Sequence, residues 1–412
     1  MKQRVVRWTG FLSLYFISIV YSAAQTDTHV QKDHESVSSI GPLYVQAFDL
    51  TQSFDGKIQL VNQDLKSDLN GYELEWSIER IDSWNGAQLL FSDRISLENI
   101  EAEPYTEISL DLPANWKEGD VLNLSLFGKD GALNYSLSEP IRMPKEGNQN
   151  YFKQRLPLEN QPILVRESTV DFQIAAGENL YIFSKQKGNL ELVKIGRRFV
   201  NFSQTIEEGL FSSAIQKLTW KRLKDGSVQI KSTYQSNSKE LAWTVLPNGE
   251  LKVEIFSNEA LADLGALEFA FPEEKVKYAQ WIGEGANREN ERNHFGIWKK
   301  DLKDLLAERD FDSDSRVSYP YIHALFLETD DGSIEVRSET PSVYLSLDKP
   351  AVMDNSTEQS DRIALASELK LYFSISKDFS PLNTSSASII PVNLKVNKTE
   401  LSSSMVMWFR FN

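Results

Sequence analysis

Short runs in which apolar residues recur at every second position fill most of this chain. That period restricts the fold to half-buried antiparallel strands, because only a pleated strand sends alternate side chains to opposite faces. In the first third the runs are LYVQAFDL, KIQLVNQ, YELEWSIERI, TEISLDL and VLNLSLFG, separated by Gly, Asn, Asp and Pro. About a hundred residues patterned in this way predict an immunoglobulin-like β-sandwich over residues 41–143. Residues 144–167, with Pro144, Pro157 and Pro162 among polar neighbours, read as a linker. A larger β-rich region follows over 168–412, with runs such as DFQIAAG, SVQIKSTYQ, LAWTVLPNGELKVEIFS, SIEVRS and SMVMWFRF. Within it, Asp225-Gly226 and Asn248-Gly249 predict tight hairpin turns, since both pairs supply the positive φ such turns need. Residues 298–309 carry the one helical pattern, with apolar side chains at Trp298, Leu302, Leu305 and Leu306. The expected fold class is all-β.

The first residues bear Lys2, Arg4 and Arg7, then an apolar run from Trp8 to Tyr21, then Ser22, Ala23 and Ala24. This three-part pattern predicts a signal peptide over 1–24, followed by a polar leader over 25–40, and places the mature chain in the periplasm or outside the cell. The net charge is −15, and loss of the three basic residues makes the mature chain more acidic still. Such a field repels phosphate backbones and anionic headgroups, so nucleic acid is excluded as a partner; no later run is apolar enough for membrane insertion. Neutral polar ligands are unaffected. With no cysteine, burial alone must hold an exported chain together, and a thiolate zinc site is excluded. Asp310, Asp312 and Asp314 space like the start of a calcium loop, but Ser315 and Tyr321 stand where Gly and Glu are needed. The reading therefore includes no metal and no cofactor.

NGYELEWSIERIDSWNGAQLLFS in the first region resembles the fourth-domain sandwich of family 2 β-galactosidases. LADLGALEFAFPEEKVKYAQWIGEGANRENERNHFGIW, followed by YPYIHALFLETDDGSIEVRS, is similar to their fifth domain, a supersandwich related to galactose mutarotase. The shared order is Leu-Gly-Ala-Leu-Glu-Phe, a Trp-x-Gly-x-Gly turn, a Glu-Asn pair, then Pro-Tyr. Where the family continues Gly-Pro-x-Glu-Asn-Tyr-x-Asp-Arg, this chain has Ala286 to Arg292, and only Glu289, Asn290 and Arg292 match, after a shift. A catalytic (β/α)₈ barrel needs about 250 residues of alternating strand and helix. No such pattern is present, so neither catalytic glutamate of a retaining glycosidase has a place. The resemblance implies an exported carbohydrate-binding or accessory protein, with a galactoside-like ligand. The alternatives are a small subunit completing a separate barrel-bearing glycosidase chain, or a stand-alone aldose epimerase.

The candidate binding residues are Trp281, Asn287, Arg288, Glu289, Asn290, Arg292, Tyr321 and His323. Aromatic faces stack on the C–H face of a sugar, and Asn, Arg and Glu supply paired donors and acceptors for its hydroxyls. His323 with a carboxylate such as Glu289 is the constellation an epimerase would use for proton transfer. The competing expectations are that Trp281 anchors the core and that His323 is a satisfied strand histidine.

Overall fold

The computed structural model describes residues 43–45, 50, 54–62, 69–98, 100, 103–153, 159–204, 215–234, 239–257, 266–285, 294–301, 304, 317–319, 321–348, 368–375 and 404–412. The expected signal and leader and the Asp310–Asp314 stretch lie outside them. The described part forms one compact unit and is almost entirely strand. Among the described residues no helix is long and apolar enough to cross a membrane.

The first sandwich has seven strands: β1 (Leu43–Val45), β2 (Lys57–Asn62), β3 (Glu73–Ile81), β4 (Ala87–Ser96), β5 (Tyr105–Ser109), β6 (Val121–Phe127) and β7 (Leu133–Pro140). They pair as β1-β2-β5 and β4-β3-β6-β7. Alternation explains the core: Leu74, Trp76 and Ile78 of β3 and Leu122, Leu124 and Leu126 of β6 point inward, each at most 2% exposed.

The helix α1 (Pro144–Tyr151) comes next, with proline in its first turn, where the missing N–H costs nothing. Then follow β8 (Ile163–Glu167), β9 (Asp171–Ala176), β10 (Asn179–Ser184), β11 (Leu190–Ile195), β12 (Arg198–Val200), β13 (Ser203–Gln204), β14 (Ile215–Arg222), β15 (Val228–Tyr234), β16 (Lys239–Val245) and β17 (Leu251–Ser257). The last nine are β18 (Ala266–Pro272), β19 (Val276–Glu284), β20 (Phe295–Asp301), β21 (Val317–Tyr319), β22 (Ala324–Thr329), β23 (Gly332–Ser338), β24 (Tyr344–Asp348), β25 (Glu368–Ser374) and β26 (Ser404–Phe411).

These strands make a supersandwich. One layer is a nine-stranded sheet, β14-β15-β16-β17-β26-β23-β22-β19-β20. Against it lie two five-stranded sheets, β12-β11-β10-β9-β8 and β13-β18-β25-β24-β21. Ring contacts tie the layers: Phe183 meets Trp243 at 5.9 Å, Phe269 meets Phe409 at 5.1 Å, and Trp281 meets Tyr319 at 4.7 Å. Each such pair adds about 0.5–1.5 kcal/mol beyond its buried area. Both expected hairpins form, with Gly226 at φ 89° and Gly249 at φ 83°.

Two expectations need correction. Trp298 to Asp301 are strand, because β20 pairs with β19 in register, Trp298 opposite Trp281; hydrogen bonding across the sheet overrides the helical spacing. Of the remaining residues to 309, only Asp304 is described, and it is helical as the spacing predicted. The expected linker is instead a joint. Residues 163–167 complete a five-stranded sheet, and α1 packs against both sandwiches. Asp120, fully buried, accepts from the Ile81 amide at 2.8 Å and from Asn150 of α1 at 2.6 Å, and pairs with Arg142. Asn148 donates to the carbonyls of His323 (2.9 Å) and Ser338 (2.8 Å). Ile81, Val121, Tyr151, Phe152, Ile282, Phe295 and Ala324 close over the joint.

Gly147 faces this contact: a Cβ there would lie 2.6 Å from the Tyr151 hydroxyl and 3.1 Å from His323 Nδ1. Gly→Ala inside a helix ordinarily stabilises by roughly 1 kcal/mol. Gly147→Ala is expected to do the opposite, lowering the midpoint of urea unfolding.

Candidate functional site

The nine-stranded sheet has an inner face in the core and an outer face whose two halves differ. Toward β19 and β20 the outward residues Ile282, Phe295 and Ala324 form an apolar patch that α1 and the first sandwich cover. Trp84, at the turn between β3 and β4, marks the edge of this cover. Its ring lies 5.5 Å from Phe152 and 5.7 Å from Phe326, its Nε1 donates to Glu335 Oε2 at 3.3 Å, and its carbonyl accepts from Gln280 at 2.8 Å.

Beyond Glu335 the outward positions carry many charges, with Trp408 and Phe256 as aromatics among them. Alternation causes this: Leu251, Val253 and Ile255 of β17 face the core, so Lys252 and Glu254 face out. In β26 the inward Met407 and Phe409 leave Trp408 outward. Trp408 pairs with Lys252 on one side and Arg337 on the other. Its Nε1 donates to Glu339 Oε1 at 2.8 Å, and the Lys252 ammonium lies 5.3 Å from its ring centre. Arg337 is held between two carboxylates, pairing with Glu250 and reaching Glu335 Oε1 at 3.4 Å. Lys252 meets Glu254 at 2.7 Å, and Lys145 of α1 meets Glu339 at 3.5 Å.

Glu250, Lys252, Glu254, Arg337 and Glu339 have side chains only 14–25% exposed, so the groups are oriented rather than trailing in solvent. Carboxylates and cations nearly balance. The arrangement is a flat apolar ring amid fixed, planar donors and acceptors with little net field. It fits a neutral polyhydroxylated ligand better than an ion.

None of these residues was singled out from the sequence. A tryptophan at an outward parity is the one signal that pointed here; Lys252 and Arg337 lie 156 and 71 positions away and meet it only through sheet order.

Of the expected site residues, Trp281, Tyr321 and His323 are described. Asn287, Arg288, Glu289, Asn290 and Arg292 lie outside the described residues. Trp281 is a core residue, 1% exposed, stacked 6.4 Å from Trp298, with its Nε1 donating to the Glu284 carbonyl at 2.9 Å. Both ring faces are occupied, so it offers no sugar platform. His323 is 3% exposed: its Nδ1 shares a proton with the Tyr151 hydroxyl at 3.0 Å, and Phe295 meets its ring edge-on at 4.6 Å. Burial pushes its pKa down to about 3, so it is a neutral structural imidazole. Tyr321, half-buried at φ 51°, sits near the end of β19, apart from His323's pocket.

No protein-family model matches the sequence, and no curated protein matches it. Among solved structures the chain is similar to HI1317, at 8% identity and a TM-score of 0.32 over 61% of this chain and 99% of that one. It is likewise similar to YeaD of Salmonella typhimurium, provisionally named a mutarotase, at 11% identity and a TM-score of 0.32 over 63% and 97%. At these scores the likenesses carry no functional conclusion.

Trp281→Ala is expected to cost about 3–5 kcal/mol of unfolding free energy through the cavity it leaves. His323 yields a pH signature. The unfolded chain takes up a proton near 6.5, while the folded chain refuses it until about 3. The His323 contribution is therefore intact above 6.5 and lost as pH falls through that window, by at most about 1.4 kcal/mol per unit. His323→Gln should flatten the stability–pH curve between those limits relative to wild type; parallel curves would refute the buried-imidazole account.

Proposed function

We propose that this chain is an exported, non-hydrolytic carbohydrate-binding or accessory protein, related to the C-terminal domains of family 2 β-galactosidases, that binds a galactoside-like sugar on the outer face of its nine-stranded sheet. The observation that carries this reading is Trp408, flanked by Lys252 and Arg337 and hydrogen-bonded to Glu339. The ring provides a stacking surface, and the Arg337–Glu250–Glu335 group provides oriented partners for neighbouring hydroxyls. An aldose epimerase built on this chain would not use His323, which is sealed in the joint; the Glu250, Glu335 and Glu339 carboxylates are candidate acid and base groups for it.

A second reading, the accessory chain of a separate barrel-bearing glycosidase, is supported by the outer face of the five-stranded sheet β8–β12. Leu164, Ala175, Leu180, Lys194 and Phe199 align in one row across its strands, and Leu164 and Phe199 are 64% and 52% exposed. An apolar row of that kind is what a docked chain would cover.

Trp408→Ala is expected to weaken binding of galactosides at least fivefold, about 1 kcal/mol or more, in titration calorimetry, while the unfolding midpoint moves less than in Trp281→Ala. Wild-type protein that binds no mono- or oligosaccharide at millimolar concentration would overturn the reading.

A further inference from the structure

The groups around Trp408 are not held by the large sheet alone. Glu335, Arg337 and Glu339 each touch one side chain from the first sandwich or the joint. Trp84 stands on the turn between β3 and β4, which Ser83 (φ 53°) and Gly86 (φ 134°) shape. Two backbone bonds close that turn, from the Asn85 amide to the Asp82 carbonyl at 3.0 Å and from the Asp82 amide to the Gly86 carbonyl at 2.9 Å. The indole lies between Phe152 and Phe326, which leaves its Nε1–H one direction, toward Glu335. Phe152, one residue past α1, has its ring centre 6.0 Å from the Arg337 guanidinium. Lys145, in the first turn of α1, reaches Glu339 Oε2 at 3.5 Å. The other oxygen of that carboxylate, Oε1, accepts from the Trp408 indole at 2.8 Å.

Two contact paths therefore run from the cover to the recognition face. The first is Trp84 to Glu335 to Arg337, which stands opposite Trp408 in the register of β23 and β26. Glu335 is fully buried, and a carboxylate in that position takes its orientation from fixed donors rather than from water. With the Trp84 indole on Oε2, Oε1 faces Arg337 Nε at 3.4 Å, while Glu250 holds the same guanidinium by Nη2. The second path is Lys145 to Glu339 to Trp408. Here the ammonium and the indole take one oxygen each, so the plane of the carboxylate, and with it the tilt of the Trp408 ring, depends on where α1 sits.

We propose that the cover positions the recognition face: Trp84 through Glu335, and Lys145 through Glu339, hold Arg337 and the Trp408 ring in the arrangement that receives the sugar. Each acts through another side chain, so both are positioning residues. This coupling rests on the Trp408 reading above and gives that face a means of regulation, because sugar is then bound tightly only while the first sandwich and α1 are seated on the large sheet. Coupling between two sites is reciprocal, so bound sugar must also favour the seated cover. The α1 amide of Gly147 and that of Phe152 just past it, bonded to Met143 and Asn148 at 2.8 and 3.2 Å, report on this, since their hydrogens exchange with solvent when the helix unseats.

The test is calorimetric titration of the full chain with methyl β-galactoside and with lactose. Trp84→Phe keeps a ring between Phe152 and Phe326 but loses the donor to Glu335, and should weaken affinity about fivefold. Lys145→Met should weaken it about threefold, and Lys145→Arg should restore it. The two losses should multiply in the double variant, as separate paths require. In wild-type protein lactose should slow hydrogen exchange at the Gly147 and Phe152 amides, and in the double variant that protection should shrink. If wild-type protein binds, and Trp408→Ala weakens binding while Trp84→Phe and Lys145→Met do not, the positioning role falls and the Trp408 reading stands. If wild-type protein binds neither sugar at millimolar concentration, both fall. A loss that Lys145→Arg fails to restore, or that only tracks a lower unfolding midpoint, would show a purely structural role and overturn the proposal.

Discussion

The architecture depends on covering half of one sheet face. A nine-stranded sheet packed on one side would leave Ile282, Phe295 and Ala324 in water on the other. The first sandwich and α1 lie over that half, and polar groups set their position: Asp120 takes the Ile81 amide and Asn150, and Asn148 takes two carbonyls of the large sheet. The His323–Tyr151 hydrogen bond lies under this cover, where an ionised imidazole would have no compensation. Cover, joint and neutral histidine are thus one arrangement.

That arrangement also defines the uncovered half. Along one row of the sheet, Ile282, Ala324, Arg337, Trp408, Lys252 and Thr244 succeed one another from strand to strand, and the side chains change from apolar to charged where the cover stops. Trp84 and Glu335 mark the border. An oriented aromatic and charged surface therefore lies directly beside a rigid edge, which is where preorganised recognition is easiest to build.

The sequence made the strands legible because period two assigns each side chain a face: β15 and β26 alternate buried and half-buried along their whole length. Gly226 and Gly249 announced their turns by chemistry that only a positive φ requires. The joint was hidden, because its prolines and polar residues look like linker, and only the Asp120 and His323 contacts turn Asn148 and Asn150 into structural groups. Trp281 was ambiguous for a different reason. In β19 residues 279 to 283 are all buried, so both faces of that strand are interior, a property that depends on what packs above it and leaves no mark in local spacing. Of the Trp408 surface only the outward parity of one tryptophan was legible, since sheet order rather than spacing brings its members together.

Of the nine strands in the large sheet, β26 is the last to be synthesised, yet it stands fifth in spatial order, between β17 and β23. Until it emerges, the sheet exists as two separate blocks, β14–β17 and β23–β20, each with an unpaired edge open to a foreign strand. A chain still short of β26 therefore presents these inner edges to edge-to-edge association. Insertion of one eight-residue segment then closes both edges in the same step.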